Sequence, residues 1–125
     1  MGVRGIFFFD TYAFCEILKE NLNYKAYQNK IAVVTTNLNL MELHYGLLIT
    51  LGKEEADRWY DEYSPYAVAI DDLIIKKATE FRSLHRKRNL SYIDCIGYII
   101  AKTRGIPFLT GDQQFKDLEN VEFVK

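Results

Sequence analysis

The chain has 125 residues, a net charge of −1 and an apolar share of 49%, with 9 Tyr and 8 Phe. These totals suit one domain, residues 1–125, with a real core. They offer no bulk positive charge for holding nucleic acid, while leaving room for a local basic patch. The cysteines, Cys15 and Cys95, fall inside helical patterns without metal-ligand spacing, so a reducing cytosol is expected rather than a disulfide framework.

The lead Met1-Gly2-Val3-Arg4-Gly5 opens into an apolar run too short for a signal peptide or a membrane span, which predicts a cytoplasmic protein without a membrane segment. Residues 5–9 read as a buried strand rich in aromatics. A helix follows from Thr11 to Glu20, with Phe14, Ile17 and Leu18 on one stripe. Residues 21–30 read as a polar, tyrosine-bearing helix or loop, and 31–35 as a second strand. The stretch 38–51 places Leu40, Leu43, Leu47 and Leu51 at helical spacings, and Gly52 ends it. A second amphipathic helix runs from Lys53 to Tyr63, with Ala56, Trp59, Tyr60 and Tyr63 facing inward. Ser64-Pro65 turns the chain into a third strand, Tyr66 to Ile70. Residues 71–87 form a long helix, and 91–104 a strongly apolar one capped by Gly105. Pro107 to Thr110 is a fourth strand, Gln113 to Leu118 a short helix, and Val121 to Val124 a last strand. Strands alternating with helices predict an α/β fold, a three-layer α/β/α sandwich around a central parallel sheet of about five strands.

Four acids stand at or just after strand-to-helix junctions: Asp10, Glu42, Asp94 and Asp112. In an open parallel sheet such junctions gather at one edge, outside the carboxyl ends of the strands. Carboxylates crowded there repel one another unless a cation or shared protons offset the charge, and hard oxygen ligands suit Mg²⁺ or Mn²⁺. Each acid alone has a plainer role. Asn39-x-x-Glu42 and Ser91-x-x-Asp94 fit the capping-box spacing, and Asp10 and Asp112 suit N-caps. Capping and metal binding are compatible at a positive helix end. Asp71-Asp72 obeys the same junction rule and competes for a place in the site. The acids from Glu54 to Glu62 read as a solvated helix face.

Phe9-Asp10-Thr11, the run Met41-Glu42-Leu43-His44-Tyr45-Gly46, Tyr92-Ile93-Asp94, and the stretch from Gly105 through Thr110-Gly111-Asp112 to Phe115 together resemble the motifs of PIN-domain ribonucleases. The likeness spans essentially the whole chain and is nearest to the small prokaryotic VapC-type toxins of VapBC toxin–antitoxin pairs. It implies a PIN-like fold and a cytoplasmic Mg²⁺- or Mn²⁺-dependent endoribonuclease that hydrolyses RNA phosphodiester bonds. Carried over position by position, it makes Asp10, Glu42, Asp94 and Asp112 the catalytic, metal-binding carboxylates. Thr11 would orient Asp10, and Thr110 would position Asp112 or a phosphate. It also implies a homodimer and a cognate antitoxin whose helical tail docks near the site. Where many relatives carry a further acidic or amide residue, this chain has Gln113 and Gln114, which bring oxygen ligands without charge.

Divalent ions lower the pKa of water, clamp a phosphate and meet a developing alkoxide, so phosphodiester hydrolysis needs no His or Cys nucleophile. His44 falls two residues after Glu42 and therefore on another face of its helix, where packing is its natural role. The run His85-Arg86-Lys87-Arg88, with Arg82 near it, offers an RNA-binding basic rim; the alternative is a solvated helix end. Tyrosines stack on unpaired bases in some proteins, but most here read as core. Trp59, Tyr60 and Tyr63 with Leu47 and Leu51 form a candidate groove or dimer face. A second function from another class is a non-catalytic PIN-like module that binds or helps process RNA.

Overall fold

Three consecutive phenylalanines in β1 (Gly5–Phe9) are buried, and they are shared between two cores. Successive side chains of a strand point to opposite faces. Phe7 and Phe9 pack with Phe14, Leu40, Leu43 and Leu47, whereas Phe8 packs with Ala78, Tyr98, Ile100 and Phe108. Burying one such side chain contributes about 1.5–3 kcal/mol. The computed structural model describes residues 4–125, so Met1, Gly2 and Val3 of the N-terminal lead lie outside the described residues.

The first core is covered by α1 (Thr11–Leu18), α2 (Asn37–Thr50) and α3 (Lys53–Tyr63), and the second by α4 (Asp72–Leu84) and α5 (Tyr92–Arg104). Between them lies a wholly parallel sheet built from β1, β2 (Ile31–Val34), β3 (Phe108–Thr110) and β4 (Val121–Phe123), in the order β2-β1-β3-β4. This is the three-layer α/β/α arrangement that the alternation of strands and helices predicts. No helix among the described residues is long and apolar enough to cross a membrane.

Among the described residues the sheet has four strands rather than about five. The stretch Tyr66–Ile70 makes only an isolated parallel bridge, Thr35 to Ala67, beside β2. Ser64-Pro65-Tyr66 winds into a 3-10 turn that consumes the start of the expected strand. Residues 67–70 are exposed or half-buried, and the whole stretch exchanges just two backbone hydrogen bonds with Thr35. The Gln113–Leu118 helix contracts to a 3-10 turn, Gln113–Phe115, and the region after α1 is likewise a 3-10 segment, Leu22–Tyr27. Leu51 falls outside the buried stripe of α2, at 58% exposure just beyond its end. Trp59, Tyr60 and Tyr63 pack against the first core, so they do not form the open face expected with Leu51.

Two local features set the helices that matter for the site. Thr36, not Asn39, caps α2: its hydroxyl accepts from Asn39 N at 3.2 Å, so the Asn39–Glu42 capping box does not form. Ser91 and Asp94 do form one at the start of α5. Gly97 lets α5 lie close on the sheet, since a Cβ there would come within 2.8 Å of the Phe8 ring and 3.2 Å of Phe108.

Candidate active site

The chain order makes a cleft-forming edge. β2 lies on one side of β1 and β3 on the other, so the winding reverses between β1 and β3. Crossover helices diverge at such a switch point and leave room for a ligand outside the strand ends. Asp10 directly follows β1 and Asp112 stands two residues beyond β3. Glu42 is in the second turn of α2 and Asp94 in the first turn of α5.

Two threonine hydroxyls organise this edge. Thr110 donates to Asp10 Oδ2 at 2.8 Å and accepts from the Asp112 backbone N–H at 3.1 Å, so it bridges the two acids of the strand ends. Thr11 donates to Glu42 Oε1 at 2.7 Å. The Thr11 side chain therefore meets Glu42 rather than Asp10, and the Thr110 side chain meets Asp10 as well as the Asp112 backbone. Thr11 still serves Asp10 through its backbone N–H. A single hydroxyl proton is aimed at whichever carboxylate geometry brings into reach, and residue spacing does not determine that choice.

Behind Thr11 stands a residue that sequence reasoning assigned only to a cap. Asn39 is fully buried, and its Nδ2 donates to Thr11 Oγ1 at 3.1 Å. Its Oδ1 accepts from the Thr36 hydroxyl at 2.6 Å, which fixes which end of the amide faces Thr11. Because Thr11 Oγ1 already accepts from Asn39, its one proton is directed to Glu42. The signal available in the sequence was a polar residue on the buried stripe of α2, one position before Leu40.

Burial and neighbouring charge raise the pKa of three of these acids. Asp10 is 3% exposed, and its pKa rises from the usual 3.8 to about 7, first by desolvation and then by the Asp94 charge, with Glu42 adding to it. Hydrogen bonds from Thr110 and the Thr11 backbone pull the other way. Asp94 is raised by burial and by Asp112, against hydrogen bonds from Ser91. Glu42 is raised by burial and by Asp94, against the Thr11 bond. Burial is the first cause at all three, and the charge of a neighbouring carboxylate adds to it at each.

The remaining candidates separate clearly. Asp94 Oδ2 accepts from Ser91 N at 2.9 Å and Asp112 Oδ1 from Gln114 N at 3.0 Å, so both cap helical turns while facing the other acids. Asp71 is an exposed cap of α4 and does not act on the acid edge. Gln114 is occupied, accepting from Asn89 N at 3.2 Å, whereas Gln113 is exposed beside Asp112. Arg88 pairs in bidentate fashion with Asp117 at 2.8 and 3.0 Å, leaving Arg82, Arg86 and Lys87 as the less committed cations of the basic rim. His44 meets Asp57 at 2.8 Å and packs edge-on to Tyr60, joining α2 to α3 away from the acids. Among the described residues, no three His, Cys, Asp or Glu side chains converge closely enough to enclose an ion where they stand.

A sequence model of the PIN domain matches residues 7–121, and the chain belongs to the PIN domain family. Solved structures share its fold. VapC20 of Mycobacterium tuberculosis, described as a sarcin–ricin loop cleaving toxin, is similar with a TM-score of 0.77 and 19% identity, over 95% of this chain and 99% of that one. DNA-bound VapBC from Salmonella typhimurium gives 0.72 and 17%, over 94% and 95% of the two chains. VapBC2 from Rickettsia felis, bound to a promoter DNA fragment, gives 0.71 and 18%, over 96% and 99%. No curated protein matches the chain.

Proposed function

We propose that this protein is a metal-dependent endoribonuclease acting at the β1/β3 switch point, and the toxin of a toxin–antitoxin pair. The observation that carries the reading is the gathering of carboxylates at one sheet edge: Thr110 joins Asp10 to the Asp112 backbone, Thr11 joins its neighbour Asp10 to the helix of Glu42, and Asp94 opens α5 near enough for its charge to act on Asp10. Membership of the PIN family supports it. So does the shared fold with a toxin described as cleaving the sarcin–ricin loop, and with VapBC complexes.

The donor set fits Mg²⁺ or Mn²⁺, because it is made of hard oxygen ligands with no sulfur or imidazole. Asp10, Glu42, Asp94 and Asp112 would hold the ion, with Gln113 supporting through its amide oxygen. Such an ion, when bound, supplies charge neutralisation at the phosphate and a lowered pKa for water. The chain's own work is positional. Thr110 holds Asp10 against Asp112, Thr11 holds Glu42, and the Ser91 capping box fixes Asp94, so the carboxylates arrive preorganised. Arg82, Arg86 and Lys87 are the cations assigned to the RNA backbone.

A homodimer completes the proposal. Met41, Tyr45, Leu48 and Ile49 form an exposed apolar stripe at helical spacing on α2, which suits a second copy or the antitoxin. The test is cleavage of a labelled RNA library by the purified protein in Mg²⁺, Mn²⁺ or EDTA, with Mn²⁺ binding followed by calorimetry. Metal-dependent cutting is expected. Metal binding without cutting would favour a non-catalytic RNA-binding module instead.

A further inference from the structure

Tyr92 is the first residue of α5, two positions before Asp94, yet it is 63% exposed. Residues two apart on a helix point about 200° apart. Asp94 turns to the acid edge, and Tyr92 turns to α4, where the Arg82 guanidinium lies 4.4 Å from its ring centroid. Arg82 is itself braced, its Nε donating to the Leu90 carbonyl at 3.0 Å. No carboxylate among the described residues pairs with it, so its charge is not neutralised and its Nη groups remain available. Arg86 and Lys87 continue the same basic side, both exposed.

Here the cation covers one part of an aromatic surface that is otherwise largely exposed, on the helical turn that also carries Asp94. An aromatic ring held rigid against a guanidinium offers its remaining face to a nucleobase, and stacking of this kind needs an unpaired base. Tyr45 and Tyr66 are also exposed, but no cation packs on either among the described residues.

We infer that Tyr92, braced by Arg82, is a stacking platform for an unpaired base flanking the phosphodiester at the acid edge, with the Arg82 Nη groups meeting a neighbouring phosphate. The inference rests on the ribonuclease reading for the choice of ligand and makes the site selective for single-stranded RNA. The test is anisotropy titration of a labelled mixed-sequence single-stranded oligoribonucleotide in Ca²⁺, with a duplex of the same length beside it. Tyr92→Ala and Tyr92→Leu are expected to weaken single-strand binding by about 5- to 100-fold, the range for one lost stacking contact. Tyr92→Phe and Tyr92→Trp should stay within about twofold of wild type. The leucine variant keeps apolar cover on α5, so a purely structural ring would tolerate it. Equal binding by wild type and the folded Leu variant, no binding by wild type, or equal affinity for the duplex would each overturn the platform. Cleavage of the same RNA in Mn²⁺ is scored separately: ring-dependent binding without cleavage sinks the nuclease reading and leaves the platform standing.

Discussion

Asp71 and Asp94 are alike in local chemistry and opposite in setting. Both stand where a helix of the second core begins, and the backbone of that first turn engages the side chain of each. Asp71 caps α4 at the exposed margin of the sheet, past the bridge to β2. Asp94 caps α5 beside the reversal between β1 and β3, where its charge reaches Asp10 and Glu42. Capping chemistry therefore does not select a functional acid. The helix that carries it, and where that helix starts along the sheet edge, does.

The largest effect that separates the two settings is loss of a charge from the acid edge. Asp10→Asn should reduce metal-dependent RNA cleavage by at least about 100-fold, the scale of lost electrostatic stabilisation at a preorganised site, measured as initial rate in Mn²⁺. Asp71→Asn should leave that rate unchanged, because Asn caps as well as Asp.

The same charge gives the metal-free fold a pH dependence. An acid whose folded pKa lies above its unfolded value stabilises the fold while protonated. For Asp10 that contribution is complete below about pH 4 and is lost as pH rises through about 7. Three pKa units correspond to roughly 4 kcal/mol. Chelated wild type should therefore lose stability relative to Asp10→Asn as pH is raised from 4 to 8, by chemical denaturation. Parallel curves for the two proteins would contradict the burial argument.

Smaller effects come from the supports. Gly111→Ala should cost about 1–3 kcal/mol and lower activity, because a Cβ there would meet the Val124 carbonyl at 2.3 Å and push the strand end that carries Asp112. Asn39→Leu should cost about 1–3 kcal/mol for polar groups left without a partner, and weaken Mn²⁺ binding by releasing Thr11 from Glu42. Asn39→Asp tests direction as well as size: a carboxylate cannot donate to Thr11, so the shape is kept while the relay is broken. Thermal melts and calorimetry measure both.

Much of this was legible in the sequence where burial leaves no choice. Phe7–Phe9 of β1 and the whole of β3 are buried, and read as strands by composition alone, whereas Gly5 and Ile6 of the expected buried run are exposed. Asp10, Asp94 and Asp112 were legible because each follows a strand or opens a helix, and the parallel order brings those junctions together; Glu42 stands in the second turn of α2, where only the bond from Thr11 ties it to that edge. The Tyr66–Ile70 strand failed for a local reason: Pro65 and its neighbours wind into a 3-10 turn before the sheet is reached. Asn39 was hidden because its spacing to Glu42 imitates a capping box, while the true cap is Thr36. The bond from Thr11 to Glu42, that from Thr110 to Asp10, and the stacking of Arg82 on Tyr92 depend on how separate helices and strands pack. No periodicity along a single chain encodes that.

The most direct measurement sets Asp94→Asn beside Asp71→Asn in Mn²⁺-dependent cleavage of the same labelled RNA. Asparagine keeps the capping geometry at both positions, so charge at the switch point is the only difference in kind. A fall of at least about 100-fold is expected for Asp94→Asn, and wild-type rates for Asp71→Asn. Equal rates in the two variants would contradict this expectation.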